Sequence, residues 1–285
     1  ALRVGGPATA NNAWIPELIG FCQRARMPID FISTHHYPTD AFGKPGDDTP
    51  AQLAASHRSV LREQAAAAQR DARGLPLYYT EWATSSNPFD DLHDQPYAAA
   101  FIIKTCLEVR DLVQAYSYWT FSDIFEENYF NSNAFHGGFG LLTIDGIAKP
   151  AYRAFELLHR LGDQIFAVVG DHPTVDCWVT RSAKTVTILA INSQLPHHPV
   201  ATETVTIELA GAAIVSAIVE RIDDDHANAR AVWLAMGSPE RPLPGQVAAL
   251  DVASQLVAEP MPHSAGTFEL VLPPQGSALI TVEVA

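Results

Sequence analysis

A carboxylate stands directly after a short apolar run, where it is poorly placed for packing but well placed for chemistry. Residues 77–80 are rich in aromatic and β-branched side chains, which predicts a buried strand, and Glu81 follows them. The C-terminal ends of the strands in a parallel barrel carry the active site. We therefore interpret Glu81 as a candidate catalytic carboxylate, although the same pattern also suits a surface glutamate just past a strand.

A second segment of the same character begins at residue 116. It starts as a strand and continues into a loop with acids, aromatics and glycines that extends to residue 141. The acids Asp123, Glu126 and Glu127 could form a solvated acidic face. Carboxylates are also strong hydrogen-bond acceptors, so the same loop could hold a polar ligand.

Four segments together resemble one enzyme family. They read D-F-I-S-T-H-H-Y at 30–37, T-E-W-A-T-S at 80–85, Y-W-T-F-S-D-I-F-E-E at 118–127 and F-H-G-G-F-G-L at 135–141. These long, ordered patterns are similar to those of glycoside hydrolase family 39, which contains β-xylosidases and α-L-iduronidases. The resemblance extends from about residue 4 to the far end of the chain and includes W-L-A-M-G-S-P at 233–239.

The resemblance implies that Glu81 is the nucleophile of a retaining glycosidase. Such an enzyme needs one carboxylate to attack the anomeric carbon and a second carboxyl group, about 5–5.5 Å away, to protonate the leaving oxygen. His35 and Tyr37 complete the predicted catalytic group, because side chains two apart on a strand share one face. Tyr37 could donate a hydrogen bond to Glu81, and His35 could bind a sugar hydroxyl or join that network, whereas both could also simply wedge a loop. His36 points to the other face and is interpreted as structural.

Four further residues are predicted to contact the sugar. The resemblance implies that Trp119 is the floor beneath the apolar face of the sugar and that Phe135 is a wall of the pocket. It also implies that Glu126 and Glu127 accept hydrogen bonds from the sugar hydroxyls. Trp119 could instead be a core residue, and Asp123 is expected to brace the loop.

The second half of the mechanism has no candidate in this sequence. In the family that the chain resembles, the general acid/base is a glutamate in an Asn-Glu-Pro motif, and no Asn-Glu-Pro occurs here. We therefore assign no acid/base residue. We expect no cofactor and no metal, because the adjacent His35 and His36 lack a third ligand at metal spacing.

Composition argues against several classes of function. The 285 residues carry a formal net charge of -14, which argues against nucleic acid or an anionic membrane surface as a partner. The three cysteines are far apart and odd in number, so they predict neither a disulfide framework nor a metal site. No apolar run approaches the ~18 residues of a transmembrane helix, and we expect a soluble protein of the cytoplasm or the periplasm.

Strands alternate with helices four times over the first 162 residues. The predicted strands are 2–5, 31–33, 77–81 and 115–120, and the predicted helices are 14–26, 51–73, 97–109 and 151–161. This alternation predicts a parallel α/β sheet. The resemblance maps these units onto the second half of a (β/α)8 TIM barrel. We therefore expect a missing N-terminal half of the barrel, or a second copy of the chain, as a partner.

Residues 163–285 have a different pattern. Six segments alternate apolar and polar residues, at 175–179, 185–191, 202–209, 214–222, 267–272 and 278–284. They predict an antiparallel β-sandwich, with one helix at 245–256. The predicted fold class is thus α/β plus all-β, with half of a catalytic barrel at 1–162 and a β-sandwich domain at 163–285.

The predicted function is that of a retaining glycoside hydrolase, best described as an exo-acting β-1,4-xylosidase that releases xylose from xylo-oligosaccharides by double displacement. An iduronidase pocket should offer a cation to the iduronate carboxylate, and the four segments contain no Lys or Arg. Activity on α-L-iduronides or arabinosides stays open as an alternative. A non-catalytic sugar-binding protein on a glycosidase scaffold is a further alternative, from a different class.

Overall fold

The computed structural model describes residues 2–39, 48–125, 131–211 and 213–285. The predicted sugar-binding residues Glu126 and Glu127 lie outside the described residues. The chain divides into two compact units. The first comprises Ala1–Asp90, Thr105–Phe121 and Leu195–His197, and the second comprises Asp91–Lys104, Ser122–Gln194 and His198–Ala285.

The first unit contains a four-stranded parallel sheet. Its strands, in spatial as in sequence order, are β1 (Gly5–Thr9), β2 (Phe31–His36), β3 (Leu77–Trp82) and β4 (Ala115–Tyr118). The helices between them in sequence are α1 (Ile15–Ala25), α2 (Thr49–Ala54), α3 (Val60–Asp71) and α4 (Pro96–Val109). The predicted parallel α/β sheet is therefore present in the described chain.

Apolar side chains of strands and helices form the core of the first unit. Ile15 of α1, Ala65 of α3 and Ile32 of β2 are fully buried in one cluster, which also contains Leu77 and Tyr79 of β3. Complete burial of each large apolar side chain is worth about 1.5–3 kcal/mol. This packing fixes β2 and β3 side by side and so brings their C-terminal ends together at one edge of the sheet.

Two predicted elements differ from the structure. The first strand begins at Gly5 rather than at residue 2, and Pro7 lies within it. A strand tolerates proline there because the pairing of β1 with β2 is irregular between Pro7 and Thr9. The single helix predicted at 51–73 is two helices, interrupted at Ser56, whose hydroxyl donates to the carbonyl of Leu53 at 2.8 Å. Such a local side-chain bond competes with the helical ladder.

The second unit contains helix α5 (Pro150–His159) and two antiparallel sheets. The strands are β5 (Gln164–Phe166), β6 (Val175–Ser182), β7 (Thr185–Asn192), β8 (Glu203–Glu208), β9 (Ile214–Ile222), β10 (Glu259–Pro260), β11 (His263–Ser264), β12 (Thr267–Leu272) and β13 (Gly276–Val284). One sheet has the order β10-β9-β13-β7-β6-β5 and the other the order β11-β12-β8. Helices α6 (Ala229–Ala235) and α7 (Pro244–Ala253) lie between β9 and β10 in sequence.

The two antiparallel sheets pack face to face. Val186, Ile188 and Ile280 of the larger sheet share a buried cluster with Phe268 and Leu270 of the smaller one. Because alternate residues of each strand point inward, the period-two pattern of the sequence specifies this sandwich. Helix α6 and the short strands β5, β10 and β11 carry no such pattern and were not predicted. Within the described part of the chain, no helix combines the length and the apolar character that crossing a bilayer requires.

Candidate active site

Glu81 lies near the C-terminal end of β3, the sheet edge at which a parallel fold places its chemistry. Its register partner on β2 is His35, and the pairing of the two strands shifts between Thr34 and His35. Such an irregularity re-aims side chains at the end of a strand. The Glu81 side chain is 24% exposed, so it is reachable from solvent yet held by its neighbours.

Both carboxylate oxygens of Glu81 have a polar neighbour. The Tyr37 hydroxyl donates to Oε1 at 2.5 Å, and His35 Nδ1 lies 3.4 Å from Oε2. The hydrogen bond expected between Tyr37 and Glu81 is therefore present. A bond to an ionised acceptor is short and strong, and it fixes the carboxylate rotamer. The catalytic roles of Glu81, Tyr37 and His35 stay predictions.

His36 points away from this group and into the core. It is fully buried, its ring stacks on Tyr79 at 3.8 Å between centroids, and its Nε2 lies 2.5 Å from the Tyr116 hydroxyl. Burial lowers the pKa of His36 to about 3. The imidazole is thus neutral at physiological pH, and the interpretation of His36 as structural is confirmed.

The chain beyond Glu81 is held by a set of side-chain hydrogen bonds that the sequence analysis did not identify. Ser85 donates to Asp90 Oδ2 at 2.6 Å, and Ser86 donates to the carbonyl of Thr39 at 2.8 Å. Both serines are buried. Because a buried hydroxyl must find an acceptor, these bonds fix the path of the chain as it leaves β3. The signal was a cluster of small polar residues at a strand end, which also marks an ordinary turn.

Trp119 follows β4 directly and is half-buried. Its backbone N–H donates to the carbonyl of Trp82 at 2.8 Å, and its peptide bond to Thr120 is cis. Trp119 therefore lies at the same edge of the sheet as Glu81. His35, Glu81 and Trp119 stand at the ends of three successive strands, β2, β3 and β4. Its role as the floor of a sugar site stays a prediction.

In the second unit, a buried lysine organises the glycine-rich segment that the sequence analysis singled out. Lys149 Nζ lies 2.6 Å from Asp94 Oδ1 and 2.6 Å from Asp123 Oδ2, and it donates to the carbonyl of Gly138 at 3.0 Å. All three ionic side chains are completely buried. Burial by itself lowers the pKa of Lys149, but the two carboxylates outweigh that effect and raise it above its ordinary value. The lysine is therefore charged within its ion pairs.

Asp123 braces the loop, as expected. Its Oδ1 accepts from the backbone N–H of Gly140 at 2.7 Å, and Asp94 Oδ2 accepts from that of Gly137 at 2.7 Å. A Cβ on Gly140 would lie 2.3 Å from the Asp123 backbone nitrogen, so only glycine fits there. Asp94 and Lys149 could not be predicted as parts of this group, because neither stands in a segment with a recognisable pattern.

Phe135 is 6% exposed and packs against Trp233, with ring centroids 5.5 Å apart. Most of its side chain thus contributes to an apolar cluster of the second unit, which also contains Ile147 and Leu250. Its role as a wall of the sugar pocket stays a prediction.

No group of three or more His, Cys, Asp or Glu side chains with metal-binding geometry occurs in the part of the chain that the structure describes. The three cysteines, Cys22, Cys106 and Cys177, are free thiols. Burial raises the pKa of Cys106 to about 12, which keeps it protonated and unreactive at neutral pH.

The sequence of the chain was compared with models of known protein families. The model of Glycosyl hydrolases family 39 matches residues 1–267 of the chain. The chain belongs to glycosyl hydrolase family 39. The family resemblance inferred from the four sequence segments is therefore confirmed.

Individual family 39 relatives are also similar over nearly the whole chain. It is 44% identical over 291 residues to a protein of Caldicellulosiruptor saccharolyticus named beta-xylosidase, which covers 99% of this chain and 60% of that protein. It is 32% identical over 259 residues to a beta-xylosidase of Geobacillus stearothermophilus, covering 85% of this chain and 49% of that protein. The solved structure of a GH39 beta-xylosidase from Caulobacter crescentus has a TM-score of 0.79 and 29% identity, and covers 99% of this chain and 57% of that one. The chain thus spans about 60% or less of the length of these relatives.

Proposed function

We propose that this chain carries the nucleophile of a retaining exo-β-1,4-xylosidase, which releases xylose from the non-reducing ends of xylo-oligosaccharides. The observation that carries the proposal is the position of Glu81 at a parallel strand end, with its Oε1 held by the Tyr37 hydroxyl at 2.5 Å. The names of the two relatives in Caldicellulosiruptor saccharolyticus and Geobacillus stearothermophilus support xylosides as the substrate class.

The reaction proceeds by double displacement. A carboxylate oxygen of Glu81 attacks the anomeric carbon while the glycosidic C–O bond breaks, and the leaving oxygen takes a proton from a general acid. The resulting glycosyl ester is then hydrolysed by water, whose proton returns to the same acid/base group. Tyr37 keeps one carboxylate oxygen in place through both steps, and His35 lies beside the other. Glu126, Glu127, Trp119 and Phe135 are the residues we assign to sugar binding.

The general acid/base is proposed to lie outside this chain, in four further βα units that complete a (β/α)8 barrel. Two observations support this arrangement. The edge strands β1 and β4 leave both sides of the described parallel sheet without a strand partner. Three large apolar residues near β1 in sequence, Val4, Trp14 and Phe21, are 45%, 66% and 53% exposed, and such side chains are suited to packing against a preceding unit. We place the boundary between this half-barrel and the β-sandwich domain near Gly162.

A neutral pentose suits the site segments better than a uronic acid. Segments 30–37, 80–85, 118–127 and 135–141 contain acids and aromatics but no Lys or Arg. A uronate carboxylate would require a cation nearby. Iduronidase and arabinosidase activities are therefore the second candidates. A non-catalytic sugar-binding role has less support, because such a protein has no need of a carboxylate fixed by a tyrosine.

The test is covalent trapping of the nucleophile in the full-length polypeptide that contains this chain. A 2-deoxy-2-fluoro-β-xyloside with a dinitrophenolate leaving group scarcely needs the general acid, since dinitrophenolate leaves unprotonated. Attack by Glu81 forms the glycosyl ester and expels dinitrophenolate, and the fluorine slows its hydrolysis. We expect the intact mass to rise by one fluoroxylosyl unit in the wild type and to stay unchanged in Glu81→Gln.

The matching 2-fluoro-iduronide and 2-fluoro-arabinoside serve as controls for the substrate class. Faster trapping by either of them would replace the xylosidase assignment. Failure of all three reagents to label a folded protein that still binds xylose would favour the non-catalytic alternative.

A further inference from the structure

A hydrogen-bonded path leads from helix α3 to the Tyr37–Glu81 pair through a residue that the proposed mechanism does not include. Gln64 lies in the second turn of α3 (Val60–Asp71), and its Nε2 donates to the backbone carbonyl of Tyr37 at 3.3 Å. Tyr37 is the first residue beyond β2. Helix α3 therefore fixes the backbone of Tyr37, the residue whose side chain contacts Glu81.

The same glutamine side chain faces the ring of His36. A backbone carbonyl can only accept, so the Gln64 nitrogen must point to Tyr37 and its Oε1 is left to accept from another donor. Gln64 Oε1 and His36 Nδ1 are both buried, and neither forms a hydrogen bond with any of the described residues. The Gln64 side chain also raises the pKa of His36 against the larger lowering caused by burial, as an acceptor beside the ring does. On the other side of the ring, His36 Nε2 lies 2.5 Å from the Tyr116 hydroxyl.

Helix α3 is itself anchored at this position. The carbonyl of Gln64 accepts from Asn12 Nδ2 at 3.5 Å, and Asn12 Oδ1 accepts from the Tyr79 hydroxyl at 2.7 Å. Tyr79 in turn stacks on His36. The glutamine thus belongs to a set of contacts that ties α3 to β2 and β3.

We propose that Gln64 is a positioning residue for the nucleophile, which acts by fixing Tyr37 and thereby the carboxylate of Glu81. Residues 36 and 37 point in opposite directions from the end of β2, and the one glutamine side chain donates to the carbonyl of Tyr37 and lies beside the ring of His36. Loss of that hold lets the Tyr37 backbone move, so that its hydroxyl no longer fixes Glu81 Oε1. A displacement of about 1 Å at such a group can cost on the order of a hundredfold in rate. This inference rests on the proposed function.

The test is a double-mutant cycle on the rate of trapping by the 2-fluoro-xyloside, made in the full-length polypeptide. Gln64→Met keeps the length of the side chain and removes both polar atoms, and we expect it to slow trapping by about tenfold to a hundredfold. In the Tyr37→Phe background the same change should have little further effect, because Gln64 acts through that hydroxyl. A merely structural role would instead lower the rate by the same factor in both backgrounds.

Gln69→Met is the matched control. Gln69 lies on the same helix, and its Nε2 donates to the carbonyl of Leu112 at 3.4 Å, on an exposed surface. We expect it to change the trapping rate by less than about twofold. Gln64→Glu keeps the shape of the side chain but removes the N–H donor to Tyr37, and it should slow trapping by a factor similar to that of Gln64→Met.

Three outcomes would overturn the inference: additive effects of Gln64→Met and Tyr37→Phe, a Gln64→Met rate equal to that of Gln69→Met, or failure of both Gln64 variants to fold. The last would make Gln64 a residue of stability alone. Absence of trapping in the wild type would instead refute the proposed function, so the two failures are distinguishable.

Discussion

His36 is a histidine whose protonation the fold opposes. The groups that face its ring are the hydroxyl of Tyr116, the ring of Tyr79 and the amide of Gln64. Burial lowers its pKa from 6.5 to about 3. Between those two pH values the unfolded chain binds a proton at this position and the folded chain does not. The free energy of unfolding should therefore decrease as the pH falls through this window, by at most about 1.4 kcal/mol per pH unit from this residue.

Urea unfolding of the full-length polypeptide at pH 7 and at pH 5 measures this effect. His36→Gln should be less stable than the wild type at pH 7, because it loses the stacking on Tyr79, but its unfolding free energy should depend less steeply on pH. His57→Gln, which changes an exposed histidine, is the control and should keep the wild-type slope. An unchanged slope in His36→Gln would show that His36 is not the group that titrates.

At the scale of residues, the sequence was informative wherever side-chain direction follows from local geometry. The alternation of a strand predicted that His35 and Tyr37 share a face and that His36 points to the other face. The family resemblance added that Tyr37 could donate a hydrogen bond to Glu81. Gln64 and Lys149 could not be found in this way. Their partners are far away in sequence, and a polar residue on a helix face or beside a proline carries no local signal of burial.

Lys149 stabilises the arrangement of separate segments of the second unit, because its ammonium group contacts carboxylates from two of them. Lys149→Met would leave the carboxylates of Asp94 and Asp123 buried with no counter-ion. Removal of one partner from a buried ionic group costs about 3–5 kcal/mol. We expect a loss of that size in the free energy of unfolding, measured by chemical denaturation.

Lys104→Met provides the matched control for this prediction. Lys104 Nζ lies 3.2 Å from Asp176 Oδ1, whose side chain is 25% exposed and keeps access to water. The expected cost is about 1–2 kcal/mol. Equal losses in the two variants would contradict the view that the buried pair of carboxylates makes Lys149 special.

At the scale of elements, periodic patterns located most helices and strands, and local polar chemistry decided where they end. The helix predicted at 51–73 is broken because Ser56 bonds back to Leu53 and Ser59 donates to Glu108 Oε1 at 2.9 Å. The alanine-rich sequence on either side favours helix and hides this break. Helix α6 was missed because it is only seven residues long, too short for a periodic signal.

At the scale of the whole molecule, the two edges of the described parallel sheet have no strand partner. If four further units complete the barrel, the 285-residue chain on its own exposes the edges of β1 and β4 together with the apolar surface beside α1. Exposed edges and apolar patches promote association. We expect the isolated chain to associate or to lose its fold, as measured by size-exclusion chromatography with light scattering and by circular dichroism. A folded monomer of 30.9 kDa would contradict the proposed half-barrel.

The claim on which the rest depends is that Glu81 is the nucleophile, and peptide mapping of the trapped protein tests it most directly. The full-length polypeptide is labelled with the 2-fluoro-xyloside and digested at low pH, and the modified residue is located by tandem mass spectrometry. We expect a single label on Glu81, formed more slowly in Tyr37→Phe. A label on another carboxylate, or normal turnover of xylosides by Glu81→Gln, would contradict it.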